Sequence, residues 1–301
     1  MEKPYILHLF TPAAQASPFD VNMAYDAGYA AVVPYTQVTL DQIAPLTQDT
    51  IFSRGPKGVR RTGIFIGGRE AGLAADMLGA ARKAMVPPFE VSVLVDPSGA
   101  FTTAAAMVAA VEKHLAKAHG TDLKGKTVMV FGGSGPVGGA AAVLAAQAGA
   151  LVHIVGRDAA RARAAAEECN RRYGTSVASA AATNDSPKKA LMQKVDVALA
   201  ATKAGSRALD KAALDASSRL LVAADVNAVP PSGIEGIDAM DDGKSLAAGS
   251  GKALGIGALA IGNIKYQTQR GLLEAMLKAD KALYLDLQDA FREARKHAGL
   301  A

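Results

Sequence analysis

Tryptophan is absent from this chain and cysteine occurs once, as Cys169, which excludes an internal disulfide and a cysteine-built metal site. Cys169 lies in an alanine- and glutamate-rich stretch of helical character and reads as a packed helix thiol. The 5 histidines (His8, His114, His119, His153, His297) are scattered, and none stands at a ligand spacing from another His, Asp or Glu, so no metal is expected. Aromatic residues make up only 5%, and the basic residues are spread along the chain rather than clustered. Without a stacking surface or a basic stripe, nucleic acid is not an expected partner. Long apolar runs are missing too: each is broken by Gly, Pro or charge well short of the ~20 residues of a spanning helix, so no membrane is expected. The first residues, Met1-Glu2-Lys3-Pro4, precede a short apolar run at 5–10 that does not read as a signal peptide. A soluble, cytoplasmic protein is the expectation. Also lacking are a G-x-S-x-G elbow, a Walker lysine behind the glycines and the paired carboxylates of a glycosidase.

What the chain does have is bulk and alternation. Its 301 residues, 50% of them apolar, suffice for two domains with substantial cores. Apolar strand patterns at 5–10, 30–33, 62–66 and 91–95 alternate with helical patterns. Ser17 and Pro18 open one helix as cap and first residue, Thr39 and Gln42 bracket a capping box, and further helices are expected near 69–84 and 102–119. The polar, turn-rich segment 120–126 marks a domain boundary, and beyond it 195–200 and 220–224 read as strands buried on both faces. Residues 268–297 read as mostly helical. The expected fold class is therefore α/β, with an N-terminal open α/β domain at 1–119, completed by C-terminal helices at 268–301, and a Rossmann-like domain at 120–267. Ligands in open α/β sheets bind beyond the carboxyl ends of strands, so an interdomain cleft is the expected active site.

The strongest local signal is Gly132-Gly133-Ser134-Gly135-Pro136-Val137-Gly138, between the strand pattern 128–131 and an alanine-rich helix. Gly133, Gly135 and Gly138 fit G-x-G-x-x-G. The first is assigned the tight turn, the second the approach of a pyrophosphate to the backbone, and the third the close packing of helix on strand. Helix amides and the helix dipole then face the anion. The second strand, 151–155, ends in Gly156-Arg157 where an NAD-binding domain carries an acid for the ribose 2′-hydroxyl. An arginine there suits a 2′-phosphate, so the expected cofactor is NADP, with NAD possible. Asp158, beside it, is an alternative ribose contact or simply the cap of the helix holding Arg161 and Arg163. The net charge of +5 is compatible with anionic ligands.

Four other segments can carry chemistry. Asp96 to Thr103 ends a strand and opens a helix, offering Ser98 and Thr102 to a ligand, against the plainer role of Thr102 as a cap. Thr202 and Lys203, with small neighbours, end one buried strand and leave room for a cofactor, against the plainer reading of a βα turn, which is favoured for Lys203. Asp225 and Asn227 end another, against the plainer reading of a rigid Pro230-Pro231 loop with Asn227 bonded to its own backbone. The glycine-punctuated stretch 249–265 ends in Asn263-Ile264-Lys265. Lys265 either snorkels from an apolar helix or donates to a polar heterocycle. Asp20 follows a helix cap and is explained in part by helix amides.

Taken together, Ser17-Pro18-Phe19-Asp20-Val21-Asn22-Met23, Ile51-Phe52-Ser53-Arg54, Thr62-Gly63-Ile64-Phe65-Ile66-Gly67-Gly68, the 96–103 loop, the glycine run, 225–231 and 255–265 resemble bacterial methylene-tetrahydromethanopterin dehydrogenase over nearly the whole chain. The resemblance implies oxidation of N5,N10-methylene-tetrahydromethanopterin to the methenyl form with NAD(P), in the formaldehyde oxidation of methylotrophs. Relatives also use methylene-tetrahydrofolate. It further implies a pterin-binding domain, a nucleotide domain and a homo-oligomer, with Lys265 at the pterin and Asp20, Ser98, Thr102 and Asn263 on the substrate side. The cofactor side comprises Gly133, Ser134, Gly135, Pro136, Val137, Gly138, Arg157, Thr202, Asp225 and Asn227. The segment 201–205 departs from the family pattern. The alternatives are a shikimate-dehydrogenase-like enzyme, whose N-terminal Asn-x-Thr-x-Pro-x-Lys arrangement is missing, and a non-catalytic NADP-binding protein.

Overall fold

The structure, a computed structural model, describes residues 3–182 and 185–300. In chain order its strands are β1 (Ile6–Phe10), β2 (Ala31–Tyr35), β3 (Thr62–Ile66), β4 (Ser92–Val95), β5 (Thr127–Phe131) and β6 (Leu151–Gly156). They continue as β7 (Ala178–Ala181), β8 (Val197–Ala200), β9 (Val222–Asp225), β10 (Asp242–Ser245), β11 (Leu254–Ile256) and β12 (Tyr284–Leu285). The helices are α1 (Pro18–Asp26), α2 (Ile43–Phe52), α3 (Pro56–Val59), α4 (Ala71–Ala84), α5 (Ala100–His119) and α6 (Pro136–Gln147). After them come α7 (Ala159–Tyr173), α8 (Asp185–Met192), α9 (Lys211–Asp215), α10 (Ala258–Lys278) and α11 (Leu287–His297). The chain is α/β, and every strand pairing is parallel except β10 with β11. No helix among the described residues is long and apolar enough to cross a membrane.

Two compact units result, Met1–Thr102 with Tyr266–Glu293 and Thr103–Lys265 with Ala294–Ala301. The first division falls inside α5, ahead of the polar segment at 120–126. Side chains explain why most of α5 goes with the second unit: Lys113 and His114 both bond Asp242, at 2.8 and 2.7 Å, and Glu112 pairs with Arg295 at 2.6 Å.

In the first unit the sheet order is β12-β4-β3-β1-β2. Every residue of β3 is buried, as a central parallel strand requires. The order reverses between β1 and β3, so the loops after Phe10 and Ile66 flank the switch point of this sheet. Local chemistry sets the helix starts: Ser17 accepts from the Asp20 amide, Pro18 occupies the first turn, and Gln42 accepts from the Thr39 amide at 3.0 Å. The capping box opens a 3₁₀ turn, Leu40–Gln42, which runs into α2. Helix α5 starts at Ala100, because the buried Asp96 reaches forward and caps it. The stretch 268–297 is mostly helical, in α10 and α11. It is broken by β12, which adds beside β4 in parallel.

The second unit's sheet runs β10-β11-β9-β8-β5-β6-β7, with its switch point between β5 and β8. β8 and β9 are buried throughout. Their core gathers Met129, Phe131, Met192, Leu209, Ile234 and Ile237, and large side chains so buried contribute roughly 1.5–3 kcal/mol each. Helix α6 is apolar on all sides, with 138 and 140–145 buried, so its position is fixed by packing rather than by an amphipathic stripe.

Candidate active site

At the carboxyl end of β5, Gly132 adopts φ +80, and a Cβ there would lie 2.3 Å from the Ala201 carbonyl oxygen beyond β8. Spacing assigns the tight turn to Gly133; the backbone gives it to Gly132. Gly133 is instead required because a Cβ would lie 2.8 Å from the Ile154 side chain. Gly138, in the first turn of α6, faces the Gly132 carbonyl at 2.5 Å from a would-be Cβ, so helix and turn meet backbone to backbone. Gly135 differs: a Cβ would find only the Gly132 oxygen, at 3.4 Å. The space over Gly135 is open, as the pyrophosphate-approach role demands. Gly135 is the cap of α6, Pro136 is its first residue, and the amides of Val137 and Gly138 have no acceptor within the helix. Ser134 is exposed beside them.

β5 and β6 pair in parallel with Phe131 opposite Val155, so Arg157 leaves the sheet at the same end as the glycine turn. Asp158 caps α7, its Oδ1 accepting from the Ala160 and Arg161 amides at 2.9 and 3.1 Å. A pocket of about 500 Å³ opens here, lined by Ser134, Gly135, Arg157, Asp158, Arg161 and Thr202 among others. Lys188, Lys203 and Arg207 also reach it, so among the described residues basic side chains outnumber the one acid. This surplus, together with the open face of Gly135, fits an anionic dinucleotide. Arg161 and Arg207 are the contributors that motif spacing misses. The recurrence of arginine on both sides of a helix cap is the signal that points to the first.

Thr202 lines the pocket, and its hydroxyl donates to the Ser206 carbonyl at 3.0 Å, which holds the turn after β8. Asp225 and Asn227 are not among the lining residues. Asp225 is buried and its carboxylate accepts from the Asn227 and Ile234 amides at 2.9 and 3.1 Å. Burial raises its pKa above the ordinary carboxylate value, against the opposing pull of those amides. Asn227 donates to the Pro231 carbonyl and accepts from the Val229 and Gly205 amides. Both side chains are spent on loop backbone, the plainer of the two sequence readings.

In the first unit, Asp20 is buried and accepts from Gln269 Nε2 at 2.9 Å, a partner in α10 that local sequence cannot supply. Thr102 is fully buried and lies within α5 rather than capping it. Its hydroxyl donates to Asp96 Oδ2 at 2.6 Å, so it supports the loop instead of facing a ligand. Ser98 is exposed at φ 52, a left-handed conformation unusual for serine, and its hydroxyl donates to the Gly68 carbonyl at 2.7 Å. It stands beside the sheet's switch point. On the part of α10 that belongs to the second unit, Asn263 is exposed and Lys265 half-buried. Residues so spaced do not face each other on a helix; Lys265 instead shares its face with Thr268 and Gln269 one turn on. Among the described residues no group of three or more His, Cys, Asp or Glu could hold a metal ion.

Comparison with known proteins places this arrangement. A family model described as methylene-tetrahydromethanopterin dehydrogenase, N-terminal, matches residues 18–98. An NAD(P)-dependent methylenetetrahydromethanopterin dehydrogenase of Methylorubrum extorquens is 48% identical over 295 residues, spanning 98% of this chain and 99% of that protein. A protein of the same organism named bifunctional protein MdtA is 34% identical over 293 residues, spanning 97% of this chain and 99% of its own length. Among solved structures, quinate dehydrogenase from Corynebacterium glutamicum superimposes with a TM-score of 0.53 at 16% identity, over 96% of this chain and 98% of that one, a likeness of fold alone. With identity at the level of the first relative over nearly all of both chains, this chain belongs to the methylene-tetrahydromethanopterin dehydrogenase family.

Proposed function

We propose that this protein takes a hydride from the methylene carbon of N5,N10-methylene-tetrahydromethanopterin and passes it to NADP, with NAD as a second acceptor, leaving the methenyl form. The observation that carries this reading is the full-length identity of 48% with an NAD(P)-dependent methylenetetrahydromethanopterin dehydrogenase. The glycine turn and the basic pocket support it, because they supply amides, an open backbone face and positive charge for a dinucleotide. When bound, the nicotinamide supplies the hydride-accepting carbon.

The residues then have distinct tasks. Gly133, Ser134, Gly135, Pro136, Val137 and Gly138 seat the pyrophosphate, Arg157 takes the 2′-phosphate, and Thr202 holds the turn that bounds the pocket. Asp225 and Asn227 act through the loop they brace. The first unit receives the pterin: Ser98 and Asp20 offer polar contacts, and Thr102 fixes the Ser98 loop through Asp96. Asn263 and Lys265, in the part of α10 that belongs to the second unit, are assigned to the pterin by the family resemblance. The carbon losing hydride lies between two nitrogens whose lone pairs stabilise the developing cation, so the protein need supply neither a general acid nor a base. Its contribution is orientation and the exclusion of water that attacks the methenyl product. Lys265 in this reading anchors the pterin and tunes its charge, and carries no proton. The enzyme works in the cytoplasm as a homo-oligomer in one-carbon metabolism, oxidising formaldehyde-derived units.

The test is the absorbance of reduced nicotinamide with methylene-tetrahydromethanopterin and methylene-tetrahydrofolate, each against NADP and NAD. Rising absorbance with the first pterin is expected. Turnover of the folate alone would reassign the substrate, and no reduction with either would leave a nucleotide-binding protein without the proposed reaction.

A further inference from the structure

One arginine at the end of β6 meets the needs of a 2′-phosphate, yet the pocket presents more. Arg157 and Arg161 line it from either side of the cap residue Asp158, and both are exposed. Neither side chain has a hydrogen-bond or ion-pair partner among the described residues, whereas Arg207 in the same pocket pairs with Glu235 at 2.9 Å. Two guanidinium groups turned to one cavity repel each other unless an anion lies between them. A phosphate monoester, carrying about −1.5 to −2 near neutral pH, is the anion with charge for both, and planar guanidinium forks match its oxygens. The pyrophosphate, by contrast, is met by the amides over Gly135.

Asp158 stands between these arginines. Its Oδ1 is committed to the Ala160 and Arg161 amides, while Oδ2 has no protein donor among the described residues and the residue lines the pocket. Oδ2 can accept a ribose 2′-hydroxyl, and the same negative charge opposes a 2′-phosphate. We propose that Arg161 is the second arm of a 2′-phosphate clamp with Arg157, and that Asp158 between them is the element that admits NAD. The three together set the NADP-to-NAD preference. This rests on the reading that the pocket takes the adenosine end of NAD(P).

The test uses the full-length protein and two probes that need no pterin, 2′,5′-ADP and 5′-AMP, with kcat/KM for NADP and NAD as a second readout. Arg161→Ala is expected to weaken 2′,5′-ADP about tenfold or more and to change 5′-AMP far less. Asp158→Asn keeps the capping oxygen while removing the charge. It is expected to strengthen 2′,5′-ADP and to lower kcat/KM for NAD, raising the NADP-to-NAD ratio about tenfold. Arg163→Ala, exposed on the same helix but outside the pocket, should move neither probe. The clamp is overturned if Arg161→Ala affects both probes equally or neither, or if Asp158→Asn moves NADP and NAD in the same direction. A protein that discriminates the probes through Arg161 but never oxidises the pterin would refute the proposed reaction and leave the clamp standing. Normal turnover with an unchanged cofactor ratio in Arg161→Ala would do the reverse.

Discussion

Replacing Gly135 and Gly138 in turn by alanine separates ligand space from fold space. At Gly138 a Cβ lies 2.5 Å from the Gly132 oxygen and 2.7 Å from the Gly133 Cα, both backbone atoms that cannot swing away. Forcing that contact costs about 1–3 kcal/mol, offset by roughly 1 kcal/mol for alanine over glycine inside a helix. A net loss of up to about 2 kcal/mol lowers the Tm by roughly 2–4 °C per kcal/mol in a unit of this size. At Gly135 the backbone has φ −91 and ψ 166, open to any residue, and the nearest atom is 3.4 Å away. Alanine is the poorer cap by about 0.5–1 kcal/mol, and the stiffer unfolded chain returns about 0.4–1 kcal/mol, so the fold is nearly indifferent. A phosphate is not. A methyl group on its approach removes one or two charge-assisted amide bonds of about 1.5–3 kcal/mol each, a tenfold to more than hundredfold rise in Kd. Thermal unfolding without nucleotide and titration with NADPH read the two effects separately. Gly135→Ala should melt near wild type and bind poorly, and Gly138→Ala should melt lower. If Gly135→Ala keeps its affinity, or melts as low as Gly138→Ala, the assignment of the open face to pyrophosphate is wrong.

Lys265→Ala is expected to lose most of kcat while NADPH affinity, measured without pterin, changes little; near-normal turnover removes Lys265 from the site. Asp96→Ala deprives the Phe101 and Thr102 amides and the Thr102 hydroxyl of their acceptor, at a cost of about 2–4 kcal/mol by chemical denaturation, whereas Thr102→Ser keeps the hydroxyl and most of the stability. Asp225 gives a pH signature. Burial raises its folded pKa above 3.8, so the native state holds this proton longer than the unfolded chain, and its contribution to stability falls as pH rises from near 3.8 through the folded value. Relative to Asp225→Asn, wild-type stability should therefore decline across that window and level off above the folded value; urea denaturation at stepped pH checks it, and a rise would contradict the assignment.

Features governed by near neighbours are legible in the sequence. Ser17 and Asp158 cap their helices where the sequence places the caps, because a cap needs only its own side chain and the next turn. The buried runs of β8 and β9 are legible because a strand covered on both faces must be apolar throughout. Long-range partners are not. Tyr284–Leu285 is too short to carry a period, and it becomes a strand only because β4 offers a free edge. Asp20 reads as a helix-start acid until Gln269 appears beside it. Asp225 and Asn227 sit at a strand end where ligands gather; the sequence offers both a ligand role and a loop in which Asn227 bonds its own backbone, and only the fold shows that the backbone of 229–234 claims their polar atoms. The orientations of Asn263 and Lys265 were hidden for another reason: the glycines at 255, 257 and 262 obscure where α10 begins, and helical phase follows from its start.

The Asp225 and Asn227 bonds tie the chain after β9 to itself and, through the Gly205 amide, to the turn after β8. Neither segment can detach alone without stranding a buried carboxylate or amide group. Amide hydrogens at 205, 227, 229 and 234 therefore belong to one cooperative opening event and should exchange with solvent at a common rate, faster than β8 and β9 themselves. The turn after β8, which lines the pocket, is thus expected to open together with the loop after β9 rather than to fray residue by residue.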